Sequence, residues 1–188
     1  MPGLLFLLVV ALPACTSKPE NSTEPTPVLS GPPETTYPMP PINGKSFAEM
    51  GWELDDGQHV KVSSFENKVL VLDFYATWCA PCRESVPHLN HLQQRFGAQG
   101  LQIIGLNVGG PDDRAEVPAF AREFNIRYPL GFPDAELSEL LLSASNAIPQ
   151  TFIFDRQGQL IKRYVGYDDS LADELDREIQ TALASQSN

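Results

Sequence analysis

Val69-Leu70-Val71-Leu72-Asp73-Phe74-Tyr75-Ala76-Thr77-Trp78-Cys79-Ala80-Pro81-Cys82 begins as a nearly continuous apolar run and ends on two cysteines. Its first six residues are rich in β-formers, the pattern of a strand covered on both faces. From Pro81 to about Phe96 the period becomes helical, with Val86, Leu89, Leu92 and Phe96 three or four apart. The cysteines therefore stand at a strand-to-helix junction. Unpaired N–H groups and the positive end of the helix dipole stabilise a thiolate there and lower the thiol pKa. Cys79 is expected to be the attacking nucleophile. Cys82, one turn further on, is placed to resolve the mixed disulfide formed at Cys79. Pro81 fits a first helical turn, where its missing N–H costs nothing, and Pro87 removes one hydrogen bond further along.

On the N-terminal side, Asp56-Gly57 is a hairpin signal between Trp52-Glu53-Leu54 and His59-Val60-Lys61. On the C-terminal side a second buried strand is expected over Leu101 to Leu106, a helix over Val117 to Phe124, and a short strand over Tyr128 to Phe132. A helix over Leu137 to Leu142 follows. Thr151 to Phe154 and Leu160 to Val165 read as an antiparallel hairpin around Gln157-Gly158. A last helix from about Ser170 carries Leu171, Leu175, Ile179 and Leu183 on one face. This order implies an α/β fold: a central mixed sheet flanked by helices, with an N-terminal hairpin and a helix-strand insert from about Arg114 to Phe132.

The 188 residues fit one compact domain with tails. Thirteen basic against 24 acidic residues, a net charge of -11, argue against nucleic acid as a partner. The opening run Gly3 to Leu12 is too short to span a bilayer, which takes about 20 apolar residues, and reads as a signal-peptide core. Leu12-Pro13-Ala14-Cys15 resembles a bacterial lipobox, so residues 1–15 are expected to be a signal peptide ending on a lipidated Cys15. An ordinary secretory signal with an incidental Cys15 is the alternative. Residues 16–41, rich in Pro, Ser, Thr and Glu, read as a disordered tether. Both readings place the chain outside the cytoplasm. With Cys15 set aside, Cys79 and Cys82 remain of the three cysteines. A bridge closing so short a loop adds little stability, so the pair is suited to chemistry.

Asp73-Phe74-Tyr75-Ala76-Thr77-Trp78-Cys79-Ala80-Pro81-Cys82 resembles the active-site segment of the thioredoxin superfamily. Ala147-Ile148-Pro149-Gln150-Thr151-Phe152 is similar to that superfamily's cis-proline segment. The signal and tether, the stretch Cys82-Arg83-Glu84-Ser85-Val86-Pro87-His88-Leu89 and the insert resemble the tethered subgroup named after TlpA and ResA. The resemblance implies a thioredoxin-like domain over residues 42–188 and a redox-active disulfide between Cys79 and Cys82. It also implies that a cis Pro149 packs against that disulfide and that the Ile148 backbone pairs with an extended substrate. Trp78 would shield the cysteines and offer an apolar docking surface. Protein disulfides, often those of apocytochromes c, are the implied substrates. A membrane thiol-disulfide transporter is the implied electron donor, and the lipid anchor ties the chain to a bacterial membrane, facing the periplasm or cell exterior. Asp73 falls where thioredoxin keeps a buried acid; burial would raise its pKa and let it take the proton from Cys82. No cofactor is implied.

Strongly oxidising relatives often carry a histidine between the cysteines, whereas Ala80-Pro81 is uncharged. A milder thiolate stabilisation and a lower potential follow, which favours a reductase. Zinc is disfavoured: His88 would lie about 9 Å beyond Cys82 along a helix and His91 would point about 180° away. Cu(I) held by the two sulfurs, as in a metallochaperone, is a second reading. A thiol peroxidase on the same fold is a third, but its Pro-x-x-x-Thr-x-x-Cys pattern is not reproduced. Thr77 stands two residues before Cys79 and Asp73 six before it. His59 belongs to no motif.

Overall fold

A computed structural model describes residues 39–185; the expected signal peptide, Cys15 and most of the tether lie outside the described residues. The expected first buried strand is β3 (Val69–Tyr75), and all seven of its residues are buried. Side chains alternate across a strand, and β3 uses both directions. Leu70, Leu72 and Phe74 enter one core with Phe47, Met50, Trp52 and Phe152. Val69 and Val71 enter another with Leu89, Leu92, Leu175 and Ile179. Each fully buried Leu or Phe contributes about 1.5–3 kcal/mol, so the central strand anchors both layers.

Around β3 the chain builds β1 (Gly51–Leu54), β2 (His59–Lys61), β4 (Leu101–Asn107), β5 (Leu130–Pro133), β6 (Gln150–Phe154) and β7 (Leu160–Val165). These form one seven-stranded sheet in the order β2-β1-β5-β4-β3-β6-β7. β3, β4 and β5 run parallel, while β6 pairs antiparallel with β3 and β7 antiparallel with β6. The N-terminal hairpin β1–β2 is antiparallel and joins the sheet by pairing β1 with β5. Its turn is made by Gly57, whose φ of 81° suits glycine.

Helices α1 (Ala80–Phe96) and α5 (Asp169–Ala184) supply the core on one face, and α4 (Ala135–Leu142) supplies Leu137 and Leu141 to the core on the other. Asp168 caps α5 by accepting a hydrogen bond from the Leu171 N–H at 2.9 Å. Met39 and Ile42 both pack on the first core, so its contacts begin ahead of Ile42.

Two elements differ from the sequence expectation. A short helix α2 (Pro111–Arg114) ends where the expected insert begins and precedes α3 (Val117–Glu123). Strand β5 starts at Leu130 rather than Tyr128. Pro129 has no N–H to give a ladder, and only its carbonyl takes part, accepting from the Gly105 N–H at 3.0 Å. Tyr128 is buried in the core instead. Among the described residues, no helix is long and apolar enough to cross a membrane.

Candidate active site

The end of β3 and the start of α1 bring the cysteines together. Cys79 is the N-cap of α1 in an extended conformation, and Cys82 lies in the first turn. The two are joined as a disulfide with Cα atoms 5.2 Å apart. The Cys82 N–H donates to Cys79 Sγ at 3.3 Å, so a helix N-terminal donor already points at the sulfur that would carry negative charge after reduction. Cys82 is completely buried and Cys79 is 5% exposed. Cys79 is thus the sulfur nearer to solvent.

The Ile148–Pro149 peptide is cis, as the family resemblance implied. Cys79 Sγ lies 3.7 Å from the Ile148 carbonyl oxygen, within reach of a hydrogen bond once the thiol is reduced. Ile148 packs against the cluster of Tyr75, Ala76, Cys79, Cys82, Val86 and Phe120. Trp78 is 67% exposed, and beside Pro149 the sheet edge shows Val165 at 45%. These are the exposed large apolar side chains among the described residues.

Asp73 is 2% exposed. Strand alternation sets it between Val71, which packs with Leu89 and Leu92 of α1, and Tyr75, which packs with both cysteines. Burial lifts its carboxyl to about 6, opposed in part by a hydrogen bond from the Thr151 hydroxyl at 2.8 Å. Burial likewise pushes the Tyr75 phenol well above its ordinary value.

Two of the three histidines are engaged elsewhere, and His91 is exposed on α1. His88 Nε2 lies 2.8 Å from Asp176 on α5, and His59 Nε2 lies 2.9 Å from Asp134, which meets Gly51 at the start of β1. Among the described residues no three His, Cys, Asp or Glu side chains gather as a metal site.

Sequence reasoning missed Gln150 and Arg163. Gln150 is fully buried, and its amide donates to the carbonyls of Ser145 and Ala147 at 2.9 and 2.7 Å. Its oxygen accepts from Arg163 Nε and Nη2 at 3.0 and 2.7 Å. Gln150 therefore fastens the irregular segment that carries Ile148. A polar residue opening a buried strand was the available signal. Asp113, which bonds to Thr77 beside Trp78, was also missed.

The model of the AhpC/TSA family matches residues 43–163, which include both cysteines, Asp73 and the cis-proline segment. The chain belongs to the AhpC/TSA family. A relative, the thiol-disulfide oxidoreductase ResA of Geobacillus thermodenitrificans, is 30% identical over 111 residues. That alignment covers 59% of this chain and 62% of the relative's own length. A solved structure of a thiol:disulfide interchange protein of the thioredoxin family from Chlorobium tepidum is 25% identical with a TM-score of 0.63. It is matched over 73% of this chain and 95% of its own. Xanthomonas campestris peroxiredoxin Q, at 17% identity and a TM-score of 0.58, shares the fold. The seven-stranded sheet flanked by helices is thus a thioredoxin-like member of the AhpC/TSA family.

Proposed function

We propose that the chain is a thiol-disulfide oxidoreductase that reduces protein disulfides. The observation that carries this reading is the Cys79–Cys82 disulfide at the N-terminus of α1, facing the Ile148 carbonyl beneath an exposed Trp78. In the reduced state Cys79 thiolate attacks one sulfur of the substrate disulfide; a mixed disulfide forms and the other substrate sulfur leaves and takes up a proton. Cys82 then gives its proton to Asp73 and attacks Cys79 Sγ. The bond to the substrate breaks, its second thiol departs, and two electrons have passed to it. The enzyme is left oxidised, the form described above. Trp78 and the backbone at Ile148 and Pro149 dock the substrate as an extended strand.

A membrane thiol-disulfide protein resupplies the electrons, and apocytochrome c is the substrate favoured by the likeness to the ResA group. The lipobox-like Leu12-Pro13-Ala14-Cys15 supports a lipid-anchored, extracytoplasmic enzyme with residues 16–41 as its tether. Uncharged Ala80 and Pro81 support a reductase, because the helix terminus is then the main stabiliser of the thiolate. A redox titration of Cys79 and Cys82 tests this. The expected potential lies nearer thioredoxin's, about -270 mV, than DsbA's, about -120 mV. A value near the latter makes the protein an oxidant, and the lack of any reversible couple, with stoichiometric copper bound, makes it a Cu(I) carrier. Cys82→Ser is expected to accumulate mixed disulfides that Cys79→Ser does not form.

A further inference from the structure

Thr77, the residue before Trp78, has every polar group committed. Its N–H donates to Asp113 Oδ2 at 3.0 Å and its hydroxyl donates to Asp113 Oδ1. Its carbonyl accepts from Arg83 Nη1 at 3.2 Å. Both partners are themselves held, Asp113 by α2 and β4 and Arg83 by α3. Asp113 lies on α2, is 5% exposed, and also accepts from the Asn107 amide at 2.7 Å. Arg83 pairs with Glu123 of α3, and its guanidinium lies 4.6 Å from the centre of the Phe124 ring. Burial raises the Asp113 pKa, but the bonds from the Thr77 hydroxyl, the Asn107 amide and the Thr77 N–H outweigh this and hold it below its ordinary value.

We propose that Asp113 is a positioning residue of the disulfide-exchange site: through Thr77 it holds the loop that keeps Trp78 turned out to solvent for substrate docking. The proposal rests on the thiol-disulfide reading for its substrate, but the loop geometry stands apart from it. Residues 76–79 contain no helix or strand, and one turn bond, from the Cys79 N–H to the Ala76 carbonyl at 3.2 Å, is the backbone bond within the stretch entering α1. A side chain that bonds the N–H and the hydroxyl of one residue defines the loop further, and α2 carries it. Arg83 holds the next peptide, between Thr77 and Trp78, through the Thr77 carbonyl.

The test uses the full chain and the variants Asp113→Ala, Thr77→Val and Thr77→Ser. Trp52 is fully buried, so acrylamide quenching of the two tryptophans reports on Trp78. In Asp113→Ala and Thr77→Val, quenching is expected to drop and emission to shift to the blue as Trp78 folds back on the apolar cluster. KM for a peptide disulfide is expected to rise about tenfold, the scale of one lost hydrogen bond to a charged group, with kcat within about twofold. Reaction with dithionitrobenzoate, which needs no docking rim, should change less than the peptide reaction. Thr77→Ser keeps the hydroxyl and restores both readouts. Should Asp113→Ala fail to fold, Thr77→Val decides, since it keeps the volume and the backbone bond. Wild-type quenching and wild-type peptide KM in folded Thr77→Val overturn the proposal. If the wild-type protein reduces no disulfide, the oxidoreductase reading falls, and the quenching comparison still decides whether Asp113 holds the loop.

Discussion

Asp73 carries a conflict between stability and chemistry in one side chain. Its folded carboxyl titrates at about 6, against 3.8 for the ordinary group, and burial is the main cause. Between those values the folded chain holds a proton that the unfolded chain has released, so stability falls as pH rises from about 4 to about 6 and is flat above. The size follows from about 1.4 kcal/mol per unit, giving about 3 kcal/mol lost across the window. Asp73→Asn can still accept from the Thr151 hydroxyl and carries no charge. It should therefore be more stable than the wild type at pH 8 by about 1–3 kcal/mol, with the gain gone at pH 4; urea unfolding at the two pH values measures this. The same variant should release substrate more slowly at neutral pH, because Cys82 loses its proton acceptor. Unchanged release would remove Asp73 from the mechanism while leaving the stability result intact. The burial of Asp73 was legible in the sequence, since it sits inside an apolar run. Thr151 as its partner was not, because 78 residues separate them and only the pairing of β3 with β6 brings them side by side.

At the scale of elements, regular periods were legible and irregular backbone was not. The apolar repeat of α1 and the alternating hairpin β6–β7 carry their own signal, and the structure has them at Ala80–Phe96 and at Gln150–Phe154 with Leu160–Val165. Helix α2 is too short to show a period, and the segment before the cis-proline has none. That segment is ordered by Gln150, whose four hydrogen bonds tie two loop carbonyls to an arginine on β7. Replacing it with an apolar residue removes all four bonds from a half-buried site and leaves the guanidinium and the two carbonyls to find partners among neighbouring groups and water. Gln150→Leu should thus destabilise the fold by about 2–4 kcal/mol. It should also raise amide exchange at Ala147 and Ile148 well beyond the change seen in β4. Uniform exchange across both regions would mean that the segment is held by packing alone.

Across the whole molecule the sheet separates two tasks. The core with Phe47, Trp52, Phe74 and Phe154 lies on the face of β3 opposite the residues that lead to the cysteines, and neither cysteine belongs to it. The Phe154 ring stacks on Phe47 with centroids 4.6 Å apart and is fully buried. Phe154→Ala should leave a cavity and cost about 3–5 kcal/mol, seen as a lower urea midpoint. The reduction potential obeys a different rule, because it depends only on the difference in stability between the reduced and oxidised folded forms. A cavity on the far side of the sheet weakens both forms equally. The potential of Phe154→Ala should therefore stay within about 30 mV of the wild type, less than a tenfold change in the exchange equilibrium. A larger shift would show that strain crosses β3 from one core to the other. The central strand, buried on both faces, would then be the path that couples folding to redox chemistry.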